Sequence, residues 1–227
     1  MRLLALDAAA GRCSVALMLD AAVNERSVEP GKAHTEDLLR LTGELLAEAG
    51  IGLADLDGIA CSIGPGAFTG VRVTVSVAQG LAFGSERPVV AVNTLEALAL
   101  QLLPGQERVF ACLDARMGEV YVACFGRDQE APLRVLSEPG LSLPQDVKLP
   151  AGRFAGIGQG ISAYPELVRA HDLVMLPGAE SAMPRAREIA QLGAVRLGAG
   201  GGMNPKDLEP LYLRDKVAYT SAERAGR

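Results

Sequence analysis

A glycine-rich loop between two apolar segments constrains the fold of this chain more than any other feature of its sequence. The apolar residues 58–63 precede the loop and predict a short buried strand, and the apolar residues 71–83 follow it. A glycine loop between a strand and a helix can gather free backbone N–H groups, which bind anions. The loop comprises Gly64, Pro65, Gly66, Ala67, Phe68, Thr69 and Gly70.

The loop matches neither of the common phosphate-binding fingerprints. A P-loop requires Lys and then Ser or Thr after its last glycine, whereas Val71 and Arg72 follow Gly70 here. The dinucleotide pattern G-x-G-x-x-G is also absent, because one residue too many precedes Gly70. We therefore interpret the loop as a rigid connection that positions the next helix, with direct anion binding as the less favoured alternative.

The composition excludes several classes of function. The chain has 227 residues, of which 49% are hydrophobic and none is Trp, so it can form one large domain or two small ones with an aliphatic core. Its net charge of −5, without runs of like charge, argues against a chain that binds nucleic acid unaided. No apolar stretch has membrane-spanning length and the N-terminus does not resemble a signal peptide, so we expect a cytoplasmic protein.

The cysteines and histidines do not predict a metal site. The four cysteines contain no C-x-x-C pair and lie in apolar surroundings, which favours buried, reduced thiols. His34 precedes a helix, but a two-histidine helical site would need a second His where Leu38 stands, and His171 has no obvious companion ligand. A structural or partner-facing role is therefore favoured for His34. The cysteines are Cys13, Cys61, Cys112 and Cys124.

The first hundred residues alternate strand and helix signals. Residues 2–7 and 13–19 predict two strands joined by a tight turn, residues 22–28 a third strand, and residues 35–49 a helix. Residues 71–77 alternate apolar and polar side chains with period two, which slightly favours a strand. The continuation to residue 83 suits a helix instead, and the local pattern leaves the choice open.

The pattern of the first strands then recurs along the chain, which indicates a duplication. The apolar residues 108–114 end in Asp114 as residues 2–7 end in Asp7, and Gly118 follows Asp114 at the distance at which Gly11 follows Asp7. Two strand–turn–strand units with the same internal spacing predict two related halves.

The two acids admit two interpretations each. In duplicated actin-like ATPases, acids at such positions hold a metal-bound water near the nucleotide phosphates. The alternative, which we favour for Asp7, is a carboxylate that caps the backbone of its own turn, because residues 8–10 are all alanine and carry no hydroxyl donors. The second turn is either a polar recognition site or a structural lock in which Arg116 pairs with Asp114 or Glu119. Its candidate residues are Asp114, Arg116, Glu119 and Tyr121.

Several stretches together resemble the TsaB (YeaZ) family of bacterial tRNA threonylcarbamoyladenosine synthesis. They occur in the order expected for the family and span nearly the whole chain. They are residues 2–7 with 13–17, His34-Thr35 at a helix start, the loop from Gly64 to Arg72, Thr94-Leu95-Glu96, the segment from Asp114 to Tyr121, and Pro210-Leu211-Tyr212-Leu213-Arg214.

The resemblance implies an α/β, actin-like (ASKHA) fold made of two RNase H-like mixed-sheet subdomains related by duplication. It places the subdomains at 1–104 and 105–217, with a disordered tail at 218–227, and it makes residues 71–83 a helix. Members of this family are described as non-catalytic partners of TsaD, the transferase that modifies the adenosine beside the tRNA anticodon. ATP and metal then belong to the partner subunits, the ATPase TsaE joins the assembly, and tRNA is contacted only indirectly.

We expect the two helices of the first subdomain to form the partner interface, with TsaD or with a second copy of the chain. Surplus apolar surface on a helix pair is typical of a docking site. An ATPase or small-molecule kinase and a metallopeptidase-like protein are the alternatives. The candidate interface residues are His34, Leu38, Leu39, Leu41, Leu45, Arg72, Val75 and Gln79.

Overall fold

Two mixed β-sheets of the same topology form the frame of the molecule. The computed structural model describes residues 1–29 and 34–214, so the tail predicted at 218–227 lies outside the described residues. With the strands of each sheet numbered along the chain, both sheets have the order 3-2-1-4-5. In each sheet the first three strands pair antiparallel and the last two join in parallel. This repeated arrangement confirms the duplicated, actin-like α/β fold.

Up to residue 83 the strands and helices follow the order predicted from the sequence. The first sheet contains β1 (Arg2–Asp7), β2 (Cys13–Leu19), β3 (Ala22–Val28), β4 (Gly58–Ser62) and β5 (Val89–Val92). The second contains β6 (Arg108–Arg116), β7 (Glu119–Gly126), β8 (Arg134–Ser142), β9 (Ala155–Ile157) and β10 (Val174–Met175). The helices are α1 (His34–Ala49), α2 (Phe68–Ser85), α3 (Thr94–Leu100), α4 (Gln159–Ala163), α5 (Glu166–Ala170) and α6 (Ala186–Gly198).

Residues 71–77 are helical, which resolves the ambiguity of their pattern. They lie within α2, where Val71, Val75, Ala78 and Ala82 recur at helical spacing and are buried. Their burial against the first sheet outweighs the weak strand preference of the β-branched side chains, because tertiary packing overrides local propensity.

Helices cover both faces of the first sheet. Helices α1 and α2 bury one face, in a core that includes Leu4, Leu38 and Ile59. Helix α6 buries the other face through Ile189 and Ala190, although it follows the second sheet in sequence. The subdomain boundary at 104/105 therefore stays a prediction. Helix α6 lies after this boundary in the sequence but packs on the sheet that precedes it.

The cysteines are buried as free thiols, as their apolar surroundings in the sequence predict. All four cysteines are buried and free, two in the core beneath α1 and α2 and two in the core beneath α4. Burial raises the pKa of Cys61 to about 12, so its thiol stays protonated. None of the helices in the described part of the chain is long and apolar enough to cross a membrane.

Candidate functional site

The glycine loop packs directly against the turn between β1 and β2. A Cβ atom on Gly66 would overlap the carbonyl oxygen of Ala9, and one on Gly70 would overlap that of Ala8. The Ala67 N–H donates to the Ala9 carbonyl (2.6 Å), and the Ala8 N–H donates to Thr74 Oγ1 (3.0 Å). The glycines therefore serve close approach of two backbone segments, which is the structural interpretation of the loop.

Asp7 is fully buried beneath this turn. Its Oδ1 accepts hydrogen bonds from Ser62 Oγ and from the Ala9 N–H (3.2 Å), so its carboxylate does cap its own turn. Burial raises the pKa of Asp7 from 3.8 to about 6, and the hydrogen bonds from Ser62 and Ala9 oppose the shift only in part. A carboxylate with no exposed surface cannot contact a ligand in the neighbouring cleft.

The corresponding turn between β6 and β7 is accessible and is held by ion pairs. Asp114 Oδ1 accepts from the Arg116 N–H (2.8 Å), and its Oδ2 lies 3.2 Å from the Arg116 guanidinium. Glu119 instead pairs with Arg214 at 2.6 Å, where both side chains are less than a fifth exposed. Of the two pairings considered for Arg116, the structure contains the one with Asp114.

A cleft of about 460 Å³ lies between the two turns. Its walls are mostly small or apolar, including Ala9 and Ala10 from the first half and Leu113 from the second. Tyr121 is a half-buried wall residue, and burial raises the pKa of its hydroxyl. The turn of the first half contributes Ala9 and Ala10 to the wall of the cleft, and their side chains cannot donate hydrogen bonds to a phosphate.

Metal-binding groups do not converge in the part of the chain that the structure describes. Among residues 1–29 and 34–214, no three His, Cys, Asp or Glu side chains are placed to hold a metal ion. His34 is half-buried at the start of α1, and the ring of His171 lies 6.4 Å from that of Phe110. The geometry gives the metallopeptidase alternative no support.

Gly156, Gly158 and Gly160 pack within the second half. Cβ atoms on Gly158 and Gly160 would meet the backbone or the thiol of Cys112. This glycine cluster therefore brings α4 close to β6.

The outward face of α1 and α2 forms a shallow apolar groove of about 430 Å³. Leu39, on α1, is 47% exposed, and Phe83, near the end of α2, is 79% exposed. Exposed apolar side chains of this size on adjacent helices indicate an interaction surface. We call this face the α1–α2 surface; its groove is lined by Thr35, Leu39, Arg72, Val73, Ser76, Val77, Gly80 and Leu81.

Most of the predicted interface residues point into the protein. Four apolar candidates are buried in the core that α1 and α2 share with the first sheet, because that stripe of each helix packs inward. The Gln79 amide is also used internally and donates to the carbonyls of Pro205 and Leu208 (both 3.0 Å). Leu39 and Arg72 remain as exposed candidates. The four buried residues are Leu38, Leu41, Leu45 and Val75.

Sequence reasoning missed the small residues of this surface. Ser76, Gly80 and Gly84 recur every four residues along α2, and Ser76 and Gly80 line the groove. A Cβ on Gly80, on Gly84 or on Gly43 of α1 would meet nothing within 4 Å. The four-residue spacing of small residues was the signal available in the sequence, since it allows a second helix to approach closely.

Arg72 lies at the junction of the groove and the cleft. Its guanidinium stacks 3.6 Å from the centroid of the Phe68 ring, and its Nε donates to the Tyr212 hydroxyl (2.7 Å). Phe68 and Tyr212 both line the cleft, while Arg72 lines the groove. Thr69, beside Phe68, is exposed.

The arginines in α6 and immediately before it make internal contacts. Arg185 pairs with Glu188, and Arg187 donates to the Val23 carbonyl (3.0 Å). Arg196 pairs with Glu96 (2.7 Å), which also accepts from the Asn93 N–H at the start of α3. These contacts engage all three guanidinium groups within the protein.

Comparison with known proteins identifies the family. A family model described as "TsaD: tRNA N6-adenosine threonylcarbamoyltransferase" matches residues 28–221. The Escherichia coli "tRNA threonylcarbamoyladenosine biosynthesis protein TsaB" is 35% identical over 225 residues, which cover 96% of this chain and 97% of that protein. The chain belongs to the TsaB (YeaZ) family.

Two further relatives place this TsaB-family chain. The structure of YeaZ from Pseudomonas aeruginosa superposes with a TM-score of 0.83 at 36% identity and covers 93% of this chain and 99% of that one. A tRNA N6-adenosine threonylcarbamoyltransferase of Maricaulis maris is 49% identical over 69 residues, which are 30% of this chain and 18% of that protein. The chain is thus similar over its full length to TsaB proteins and over one segment to transferases.

Proposed function

We propose that this chain is a non-catalytic subunit in the synthesis of threonylcarbamoyladenosine in tRNA, and that it acts by docking its α1–α2 surface onto the transferase TsaD. The observation that carries the proposal is the exposed apolar face of α1 and α2 around Leu39 and Phe83. The curated relatives of matching length are named as biosynthesis proteins of this modified nucleoside.

TsaD is the occupant that the surface fits best. The family model of the transferase covers residues 28–221, so TsaD and this chain are built to a common plan and TsaD can present a helix pair equivalent to α1 and α2. The small residues Gly43, Ser76 and Gly80 leave space for such helices to approach closely. TsaD would thereby be held in its active form, and TsaE would join the assembled pair.

The first turn supports the non-catalytic part of the proposal. Asp7 is inaccessible, and the carbonyls of Ala8 and Ala9 face the glycine loop, so this turn presents no carboxylate that could hold a metal-bound phosphate. We expect ATP and metal to be bound by the partner subunits. Calorimetry of the isolated chain with Mg-ATP should give no stoichiometric binding, and hydrolysis that is lost in Asp7→Ala would contradict the proposal.

The docking surface is tested by a charge at its centre. Leu39→Glu should weaken binding to TsaD of the same organism about 100-fold, because an unpaired carboxylate would be buried on association. The matched control is Val195→Glu on α6, which replaces a side chain that is 50% exposed away from this surface and should leave the affinity unchanged. Both proteins should keep the wild-type melting temperature. Binding of Leu39→Glu within threefold of wild type would show that the surface is wrong.

Ser76→Arg is a second variant for the same surface, chosen because Val75 is buried and Val75→Arg would test folding instead. Sedimentation of the isolated chain shows whether it forms a homodimer, which distinguishes a second copy from TsaD as the occupant. If Leu39→Glu abolishes only a homodimer and leaves the TsaD complex intact, the occupant is a second copy and the proposal fails.

Depletion of the protein in cells should lower the level of threonylcarbamoyladenosine in tRNA, measured by mass spectrometry of nucleosides. An unchanged level would reject the assignment.

A further inference from the structure

Among residues 1–29 and 34–214, Arg72 is the one charged residue that lines the α1–α2 groove. Thr35 and Ser76 are the other polar residues of the lining, and the rest are apolar or glycine. A guanidinium at the edge of an apolar surface that becomes covered on docking needs an anionic partner there, because an unpaired buried charge is strongly unfavourable.

The guanidinium is already oriented before any partner binds. The Phe68 ring lies under it at 3.6 Å, the Tyr212 ring centroid is 5.5 Å away, and the Tyr212 hydroxyl accepts from Nε (2.7 Å). Among residues 1–29 and 34–214, no carboxylate forms an ion pair with Arg72, whereas Arg40, Arg196 and others are paired. These contacts use one face of the guanidinium plane and its Nε group. The two Nη groups are left to bind a further acceptor.

The contacts match those of a receptor for a planar anion. Arginine binds a carboxylate through two parallel N–H···O bonds, and holding the side chain in place beforehand reduces the entropy lost on binding. We infer that Arg72 receives an Asp or Glu carboxylate of the docking partner, with Phe68 and Tyr212 as positioning residues. This inference rests on the proposed function and names the polar contact of the same surface.

A protein carboxylate fits the site better than an RNA phosphate. Arg72 borders an apolar groove rather than a track of basic side chains, and the chain as a whole carries a net charge of −5. Binding to a phosphate backbone needs several clustered cations, and the arginines in α6 and immediately before it are engaged in internal contacts.

The test measures the affinity of the full chain for TsaD by calorimetry with three variants. Arg72→Ala should weaken binding about 30-fold, as expected for an interface arginine that carries much of the binding energy. Arg72→Lys should weaken it about 10-fold, since lysine cannot make the paired contact. Tyr212→Phe keeps the ring and removes only the hydroxyl that orients Nε, so a loss of about threefold is expected.

A double-mutant cycle then separates a contact from a structural role. Asp→Asn and Glu→Gln changes in the helices of TsaD should include one that weakens wild-type binding about 10-fold but has no further effect on Arg72→Ala. Because Arg72 is exposed, the variants should melt as wild type does.

The outcomes distinguish this inference from the proposed function. If Leu39→Glu abolishes binding but Arg72→Ala binds TsaD as tightly as wild type, the inference is overturned and the docking proposal stands. If Arg72→Ala leaves TsaD binding intact and reduces only the affinity of the complex for tRNA, the anion is a phosphate and the inference is also wrong. If the wild-type chain does not bind TsaD, both fail.

Discussion

The β1–β2 turn and the β6–β7 turn occupy equivalent positions in the two sheets but differ in accessibility. Asp7, at the end of β1, is fully buried under a turn whose carbonyls contact Gly66 and Gly70. Asp114, at the end of β6, is partly exposed and borders the cleft. The comparison shows that a duplicated frame can close one of its two equivalent sites with its own backbone while leaving the other open.

The pairing of the strands differs as well. Asp7 lies opposite Ser14, whereas Asp114 lies opposite Val120, and a bulge between Asp114 and Arg116 shifts the second hairpin by one residue relative to the repeat in the sequence. Arg116 and Met117 adopt positive φ angles (61° and 57°) in this turn. The second turn is thus more irregular, which is common where a strand ends at a binding site or an interface.

The largest expected effect concerns the β1–β2 turn, which we call the closed turn; the β6–β7 turn is the open turn. Gly70→Ala should lower the free energy of unfolding by about 3 kcal/mol or more, because the new methyl group would overlap the Ala8 carbonyl in a backbone-to-backbone contact. Gly80→Ala, in the same helix but with open space around it, should raise it by about 0.5–1 kcal/mol. Urea unfolding measures both. Equal effects in the two variants would mean that the turn and loop are not tightly packed.

The acid beneath the closed turn should make stability depend on pH. Burial raises the folded-state pKa of Asp7 from 3.8 to about 6, so the folded state favours the protonated form and is stabilised most below about pH 4. Between about pH 4 and pH 6 the wild type should lose about 3 kcal/mol relative to Asp7→Asn, which cannot ionise. Unfolding in denaturant at several pH values gives this difference. A difference that is constant with pH would contradict the burial of an ionisable Asp7.

The smaller effect concerns the open turn. Arg214→Ala should destabilise the protein by about 2 kcal/mol, because it leaves the mostly buried Glu119 without its partner. Arg116→Ala removes a guanidinium that is 86% exposed and should cost less than about 1 kcal/mol. Thermal unfolding of the two variants compares them directly. If Arg116→Ala is the more damaging, the C-terminal segment does not hold this turn.

The sequence predicted the frame well because apolar periodicity and turn residues are local. The strands β1, β2 and β3 and the helix α1 lie where their patterns placed them. Residues 71–77 could not be assigned from the local pattern, since their β-branched side chains alternate with polar ones as in a strand. Their packing against the first sheet stabilises a helix instead. The resemblance to the TsaB family supplied what the local pattern lacked.

The candidate site was less predictable because a helix with two apolar faces does not reveal which one is covered. Leu38 and Leu39 are adjacent in sequence, yet the first is buried and the second is 47% exposed. The pairing of Arg214 with Glu119 joins residues 95 positions apart, so no local pattern indicates it. The contact of Arg72 with Tyr212 is equally distant, at 140 positions.

The placement of α6 has a consequence for how the protein is made. One face of the first sheet is buried by Ile189, Ala190 and Leu192, which the ribosome adds only after the whole second sheet. During synthesis that face must therefore stay uncovered until more than four-fifths of the chain has emerged. The amino-terminal half cannot complete its core first, so the two halves mature together.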